Sequence, residues 1–114
     1  MATDRPRENI IEAYLVAQCT DRGWLCYKTA SPGRNGFPDR TVITNTGMVV
    51  FVEVKRPGEV PRKLQVRILA EMRDHGANVC VVHDRASVDT LVSALRCGRM
   101  PAVAPDNTFY VIDE

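Results

Sequence analysis

Apolar residues recur along this chain with two different periods, and the switches between them mark its elements. Over residues 7–22, Ile11, Leu15 and Cys19 return at every fourth position with Tyr14 and Gln18 beside them, the spacing of one helix face. Gly23 ends that helix. Residues 24–29 then alternate, Leu25 and Tyr27 against Cys26 and Lys28, as side chains do on a strand. Residues 30–37 are rich in Ser, Pro and Gly and read as a loop. Residues 39–44 form a second predicted strand, Asn45-Thr46-Gly47 supplies hairpin turn chemistry, and residues 48–55 form a third strand, the most apolar segment of the chain. Pro57-Gly58 and Pro61 punctuate the loop that follows. Residues 62–75 place Leu64, Ile68, Leu69 and Met72 on one side of a second helix, stopped by Gly76. Residues 78–83 read as a buried strand. Ser87 is expected to cap a third helix that runs to about Cys97 and ends at Gly98. Residues 108–112 offer a short final edge strand.

The resulting order, α-β-β-β-α-β-α with that last short strand, belongs to an α/β fold: a mixed sheet flanked by helices. A helix between the third and fourth strands favours their parallel pairing across a right-handed crossover. At 114 residues, 45% hydrophobic and 25% charged, the chain suits one globular domain over residues 1–114, without repeats or linkers. The net charge of +1 neither requires nor excludes nucleic acid, so the placement of charges matters more than their sum. Four cysteines without a C-x-x-C pair, and two histidines in different elements, argue against a structural zinc site. Cys19 and Cys80 lie in apolar periodic segments and read as buried thiols. The polar N-terminus shows no signal peptide, and no apolar run approaches the roughly 20 residues that span a bilayer. The expectation is an intracellular, reduced protein without membrane association.

Two short acidic clusters change this ordinary picture: Gly36-Phe37-Pro38-Asp39 and Val50-Phe51-Val52-Glu53-Val54-Lys55. Strand alternation puts Phe51, Glu53 and Lys55 on one face and Val50, Val52 and Val54 on the other, with Glu53 and Lys55 roughly 7 Å apart. Pairing around the 45–47 turn sets residues 39–41 opposite residues 51–55, so Asp39 and Glu53 can meet. Two carboxylates at one point repel unless a cation lies between them. Oxygen-only donors suit Mg²⁺ or Mn²⁺, with the backbone carbonyl of Val54 as an extra candidate ligand. Such an ion activates water and a phosphoryl group, and Lys55 would orient the water or stabilise the growing charge. Glu-x-Lys on a strand is ordinarily a solvated pair. Here it lies in the middle of the predicted sheet, on a strand apolar on its other face, where two charges need a reason.

Gly36-Phe37-Pro38-Asp39, then Phe51-Val52-Glu53-Val54-Lys55, then a helix bearing Gln65, resembles the VRR-NUC (virus-type replication-repair nuclease) branch of the PD-(D/E)XK nucleases. The similarity runs from about residue 7 to about residue 95 and includes residues 7–12, the Ser31-Pro32-Gly33 loop and Gly76. It is strongest to stand-alone, phage-type members. The resemblance implies a restriction-endonuclease-like core. It implies that Asp39 and Glu53 hold metal, that Lys55 is the motif lysine and that Gln65 belongs to the site. It also implies an acid on the first helix, where Glu8 and Glu12 share a face. The distance from Glu12 to Gly23, similar to that in archaeal junction resolvases, favours Glu12.

Lys28, Arg34 and Arg40 flank the Pro-Asp motif; Arg56, Arg62, Lys63 and Arg67 flank the Glu-x-Lys motif. They are expected to form a phosphate-contacting rim, against the alternative of surface charges that only solubilise the fold. The loop from Ser31, carrying Arg34, is expected to reach a groove or junction. His75 and His83 are not expected to be catalytic, and Trp24 and Tyr27, near the first strand, are expected in the core rather than as base-stacking platforms. The leading reading is a Mg²⁺- or Mn²⁺-dependent endonuclease for branched DNA, such as a Holliday junction or flap, in the bacterial cytoplasm and of phage or prophage origin. Symmetric cutting of a junction needs two sites, hence a homodimer, with the third helix and the 99–112 tail as the candidate interface; the equal alternative is that the tail folds over its own domain. Two rivals stand beside it: a non-catalytic branched-DNA-binding module of the same fold, and a small α/β interaction protein whose Glu53–Lys55 is a surface pair.

Overall fold

The computed structural model describes residues 4–29, 36–59 and 61–100. Seven elements follow the expected order: α1 (Asp4–Asp21), β1 (Leu25–Lys28), β2 (Arg40–Ile43), β3 (Val49–Val54), α2 (Lys63–Asp74), β4 (Asn78–Val82) and α3 (Arg85–Arg96). The strand order is β1-β2-β3-β4, with the first two pairings antiparallel and β3–β4 parallel. This is the mixed sheet flanked by helices that the apolar periods imply. The expected strand over residues 108–112 lies outside the described residues.

Several boundaries move for physical reasons. α1 begins at Asp4 rather than residue 7, because Pro6 falls in the first turn, where a missing N–H breaks no intrahelical bond. The N-cap of α3 is Asp84, not Ser87: its carboxylate accepts the Ser87 N–H at 2.7 Å, while the Ser87 hydroxyl accepts the Asp84 N–H at 3.1 Å. Ser87 is thus the inner member of a capping box. At the end of α2, Gly76 takes φ +93°; its N–H reaches the Arg73 carbonyl and that of Ala77 the Met72 carbonyl, the paired bonds of a Schellman stop.

The two sheet faces are covered unequally. Val42 from β2, Val50, Val52 and Val54 from β3, and Cys80 and Val82 from β4 face α1 and α3, meeting Ile11, Leu15 and Cys19, and Val88, Leu91, Val92 and Leu95. On the other face α2 covers β4 and the adjoining side of β3, where Leu69 packs with Val79 and Val81, and Phe51 joins them. Leu64, expected in the buried stripe of α2, is 44% exposed; Gln65 is buried with Ile68 and Leu69 instead. Cys19 and Cys80 are buried free thiols, as expected. Trp24 is buried, as expected, but Tyr27, also expected in the core, is exposed: no helix among the described residues lies over β1 on that face. In the expected interface, the apolar residues of α3 pack into the domain's own core and Met100 packs against the same cluster. The rest of that expected interface, residues 101–112, lies outside the described residues. No helix among the described residues is long and apolar enough to cross a membrane.

Candidate active site

The β2–β3 register builds the site. Arg40 pairs with Val52, so Asp39, one residue before β2, falls across from Glu53. Pro38 is fully buried, and Gly36 at φ +91° lies so near α2 that a Cβ there would sit 3.4 Å from the Gln65 backbone. That close approach presses the Pro-Asp turn onto the first turn of α2. Asp39 is then fixed from both sides: its Oδ2 accepts the Val54 N–H at 2.9 Å, and its carbonyl accepts the Thr29 N–H at 2.8 Å.

Glu53 is only 3% exposed, in the middle of the sheet. Its Oε2 accepts a 2.7 Å hydrogen bond from Gln65 Nε2 and lies 3.4 Å from Lys55 Nζ. Gln65 is itself oriented, since its Oε1 accepts the Arg62 N–H at 2.9 Å at the start of α2. Lys55 is buried too, and its N–H donates to the Val82 carbonyl at 2.8 Å. Burial, then the Asp39 charge, pushes the Glu53 carboxyl up to about 8 against the opposing pull of Lys55. Burial also raises Asp39, partly offset by the Val54 N–H.

The two α1 acids part ways. Glu12 Oε2 is taken by Arg40 Nε at 2.7 Å, with Lys28 Nζ at 3.7 Å, and this pair ties α1 to the sheet. Glu8, one turn earlier, is raised by burial and then by the charges of Asp39 and Glu59. An open cleft of about 420 Å³ is lined by Glu8, Asn9, Glu12, Lys28, Asp39, Arg56 and Glu59. Glu59 escaped the sequence reading. Its signal is Arg56-Pro57-Gly58-Glu59, a turn with Pro and Gly at its centre, which returns Glu59 to Arg56: the Glu59 N–H donates to the Arg56 carbonyl at 3.1 Å.

Of the expected phosphate rim, Lys28 is well exposed, as are Arg62, Lys63 and Arg67 on α2 and its approach. Arg56 is half-buried and lies 3.9 Å from Glu59. Arg40 is turned inward, 18% exposed and bound to Glu12. Ser31 and Arg34 lie outside the described residues.

A divalent ion fits this donor set. Glu53 Oε1 is buried with no hydrogen-bond partner, an arrangement that is costly for a carboxylate unless something else meets that oxygen. Among the described residues no three His, Cys, Asp or Glu side chains already form a metal-sized cluster. A hard cation that keeps several waters and takes one or two carboxylates, as Mg²⁺ does, suits Asp39 and Glu53.

No family model matches the chain. A relative named "Putative nuclease p44", from Acyrthosiphon pisum secondary endosymbiont phage 1, is 39% identical over 89 residues, covering 78% of this chain and 95% of its own. A solved structure described as a VRR_NUC domain superposes with a TM-score of 0.72 at 34% identity, covering 76% of this chain and 95% of that one. With such identity across nearly the full length of both, and with Asp39, Glu53, Lys55 and Gln65 gathered at one point of the sheet, the chain belongs to the VRR-NUC family of nucleases.

Proposed function

We propose that this protein is a Mg²⁺- or Mn²⁺-dependent endodeoxyribonuclease that cuts branched DNA. The observation that carries the reading is Glu53: a carboxylate buried in mid-sheet beside a second carboxylate and an ammonium, with one oxygen unpartnered. Asp39 and Glu53, with the Val54 carbonyl, are the proposed ligands, and Glu8 faces them from α1. Once bound, the ion supplies Lewis-acid activation of the phosphoryl group and of water.

The chain's own groups do the rest. Gln65 holds Glu53 Oε2, so Oε1 is the oxygen that would ligate an ion. Lys55, fixed through its backbone to β4, presents its ammonium to the attacking water and to the charge that grows on the phosphoryl oxygens. Water attacks phosphorus in line with the leaving sugar oxygen, and the P–O bond to that oxygen breaks. Glu12 and Arg40 serve as a positioning pair that sets α1, and with it Glu8, against the sheet. Lys28, Arg56, Arg62, Lys63 and Arg67 are the proposed phosphate contacts. A two-fold homodimer would supply the second site that symmetric cutting of a junction requires. The phage origin of the similar nuclease supports a phage- or prophage-encoded enzyme that acts in a bacterial cytoplasm.

The test is a gel cleavage assay with Mg²⁺ or Mn²⁺ on a four-way junction, a flap and a linear duplex. Wild-type protein should cut a branched DNA, and Glu53→Ala and Lys55→Ala should not. Cutting retained in either variant would sink the site assignment. Binding without any cutting by wild-type protein would favour the non-catalytic module.

A further inference from the structure

On the α2 side of the sheet, no helix among the described residues lies over the half built from β1 and β2. Its side chains run in register as two rows. Leu25, Ile43 and Val49 form one; Tyr27, Thr41 and Phe51 form the next. Leu25, Tyr27 and Val49 are exposed at 48%, 56% and 38%. Tyr27 is the one aromatic in the exposed class among the described residues, since Trp24 is buried and Phe37 stacks edge-on to Phe51 with centroids 6.0 Å apart. The third row on this same face is Asp39 and Glu53, two residues along each strand from Thr41 and Phe51, roughly 7 Å away. The open apolar face therefore runs straight into the carboxylates.

From this continuity we infer that the open face receives an unpaired strand of the DNA substrate, with Tyr27 as the platform on which a base beside the cut stacks. The inference rests on the nuclease reading and narrows its substrate to DNA with unpaired nucleotides at the site. An intact duplex hides its base faces in its own stack and offers the aliphatic Leu25, Ile43 and Val49 only phosphates, which they cannot bond. Unpaired bases offer flat apolar faces, and sheet-borne aromatics are how proteins hold them. The two apolar rows themselves carry no carboxylate: Leu25, Tyr27, Thr41, Ile43 and Val49 are all uncharged. The Thr29 and Thr41 hydroxyls, 2.8 Å apart on the same face, join the apolar rows to the polar site.

The test is fluorescence anisotropy of the full chain with labelled DNA in EDTA, so that nothing is cut, comparing a splayed-arm DNA with a blunt duplex of the same length. Tyr27→Ala should weaken splayed-arm binding by about tenfold and leave duplex binding unchanged, because a stacked base contributes on that scale. Tyr27→Phe should bind as wild type, because the ring is kept. Equal binding by wild type and Tyr27→Ala would overturn the inference, as would an equal loss on both DNAs or a Phe variant as weak as the Ala. Size-exclusion with light scattering supplies the remaining arm. If Tyr27→Ala converts a dimer to a monomer while splayed-arm affinity is kept, the face belongs to a second copy and the inference fails. If wild type binds no DNA at low salt, the nuclease reading fails first and takes this one with it.

Discussion

Glu53 reverses the usual behaviour of a carboxylate. Its folded-state pKa, near 8, lies above that of the unfolded chain, so the folded form binds the extra proton. Its contribution to stability is therefore fully present below about pH 4.5 and is lost as pH rises through 8. Asp39 and Glu8 shift in the same direction. Thermal melts in EDTA should thus show Tm falling between pH 5 and pH 8.5, and Glu53→Gln should flatten that slope while abolishing cleavage. A variant with the wild-type slope would mean that Glu53 titrates normally. Gln65→Ala removes the donor to a buried carboxylate and should cost about 1–3 kcal/mol by denaturant titration at pH 8, and less at pH 5, where Glu53 is protonated. Asp39, Glu53 and Lys55 were legible in sequence because strand parity and one hairpin register place them, whereas Gln65 followed only from the family resemblance. Between Glu12 and Glu8 the distance to Gly23 favoured Glu12, but what divides them in the fold is a side-chain partner, Arg40, on another element, which no spacing along one helix reveals. The exposure of Tyr27 was hidden for a similar reason: alternation gives the face of a strand but not whether a helix lies over it.

At the scale of elements, the site depends on how closely the Pro-Asp turn meets α2. Gly36→Ala combines a left-handed backbone with a Cβ 3.4 Å from the Gln65 backbone. It should destabilise by about 1–3 kcal/mol and lower cleavage more than its stability loss explains, because it parts Asp39 from Gln65. Asp84→Ala makes the contrast. It strips the cap of α3 and should cost about 1 kcal/mol, with cleavage lowered no more than that stability loss explains. Equal activity losses in the two would show that cleavage tracks global stability alone. The elements themselves were readable from apolar period and punctuation. The capping of α3 was not, since Asp84 and Ser87 are both good cap residues and only the backbone angles choose between them.

For the whole molecule, an ion held by two carboxylates should stabilise the fold that brings them together. Mn²⁺ at a hundred times its dissociation constant would add about 2.7 kcal/mol, a rise in Tm of several degrees at pH 8 that Glu53→Ala should not show. The order of elements and the pairing of β3 with β4 followed from the sequence, but which half of which sheet face stays uncovered is a property of the assembled layers. One consequence reaches beyond the site. The carboxamide of Gln65 bonds both the first amide of α2 and the carboxylate of Glu53, so the fraying of that helix end and the state of the acid are one equilibrium. Hydrogen exchange at the opening turn of α2 should slow when the acid is engaged and quicken when it is not, making the helix end a reporter of the site that needs no substrate.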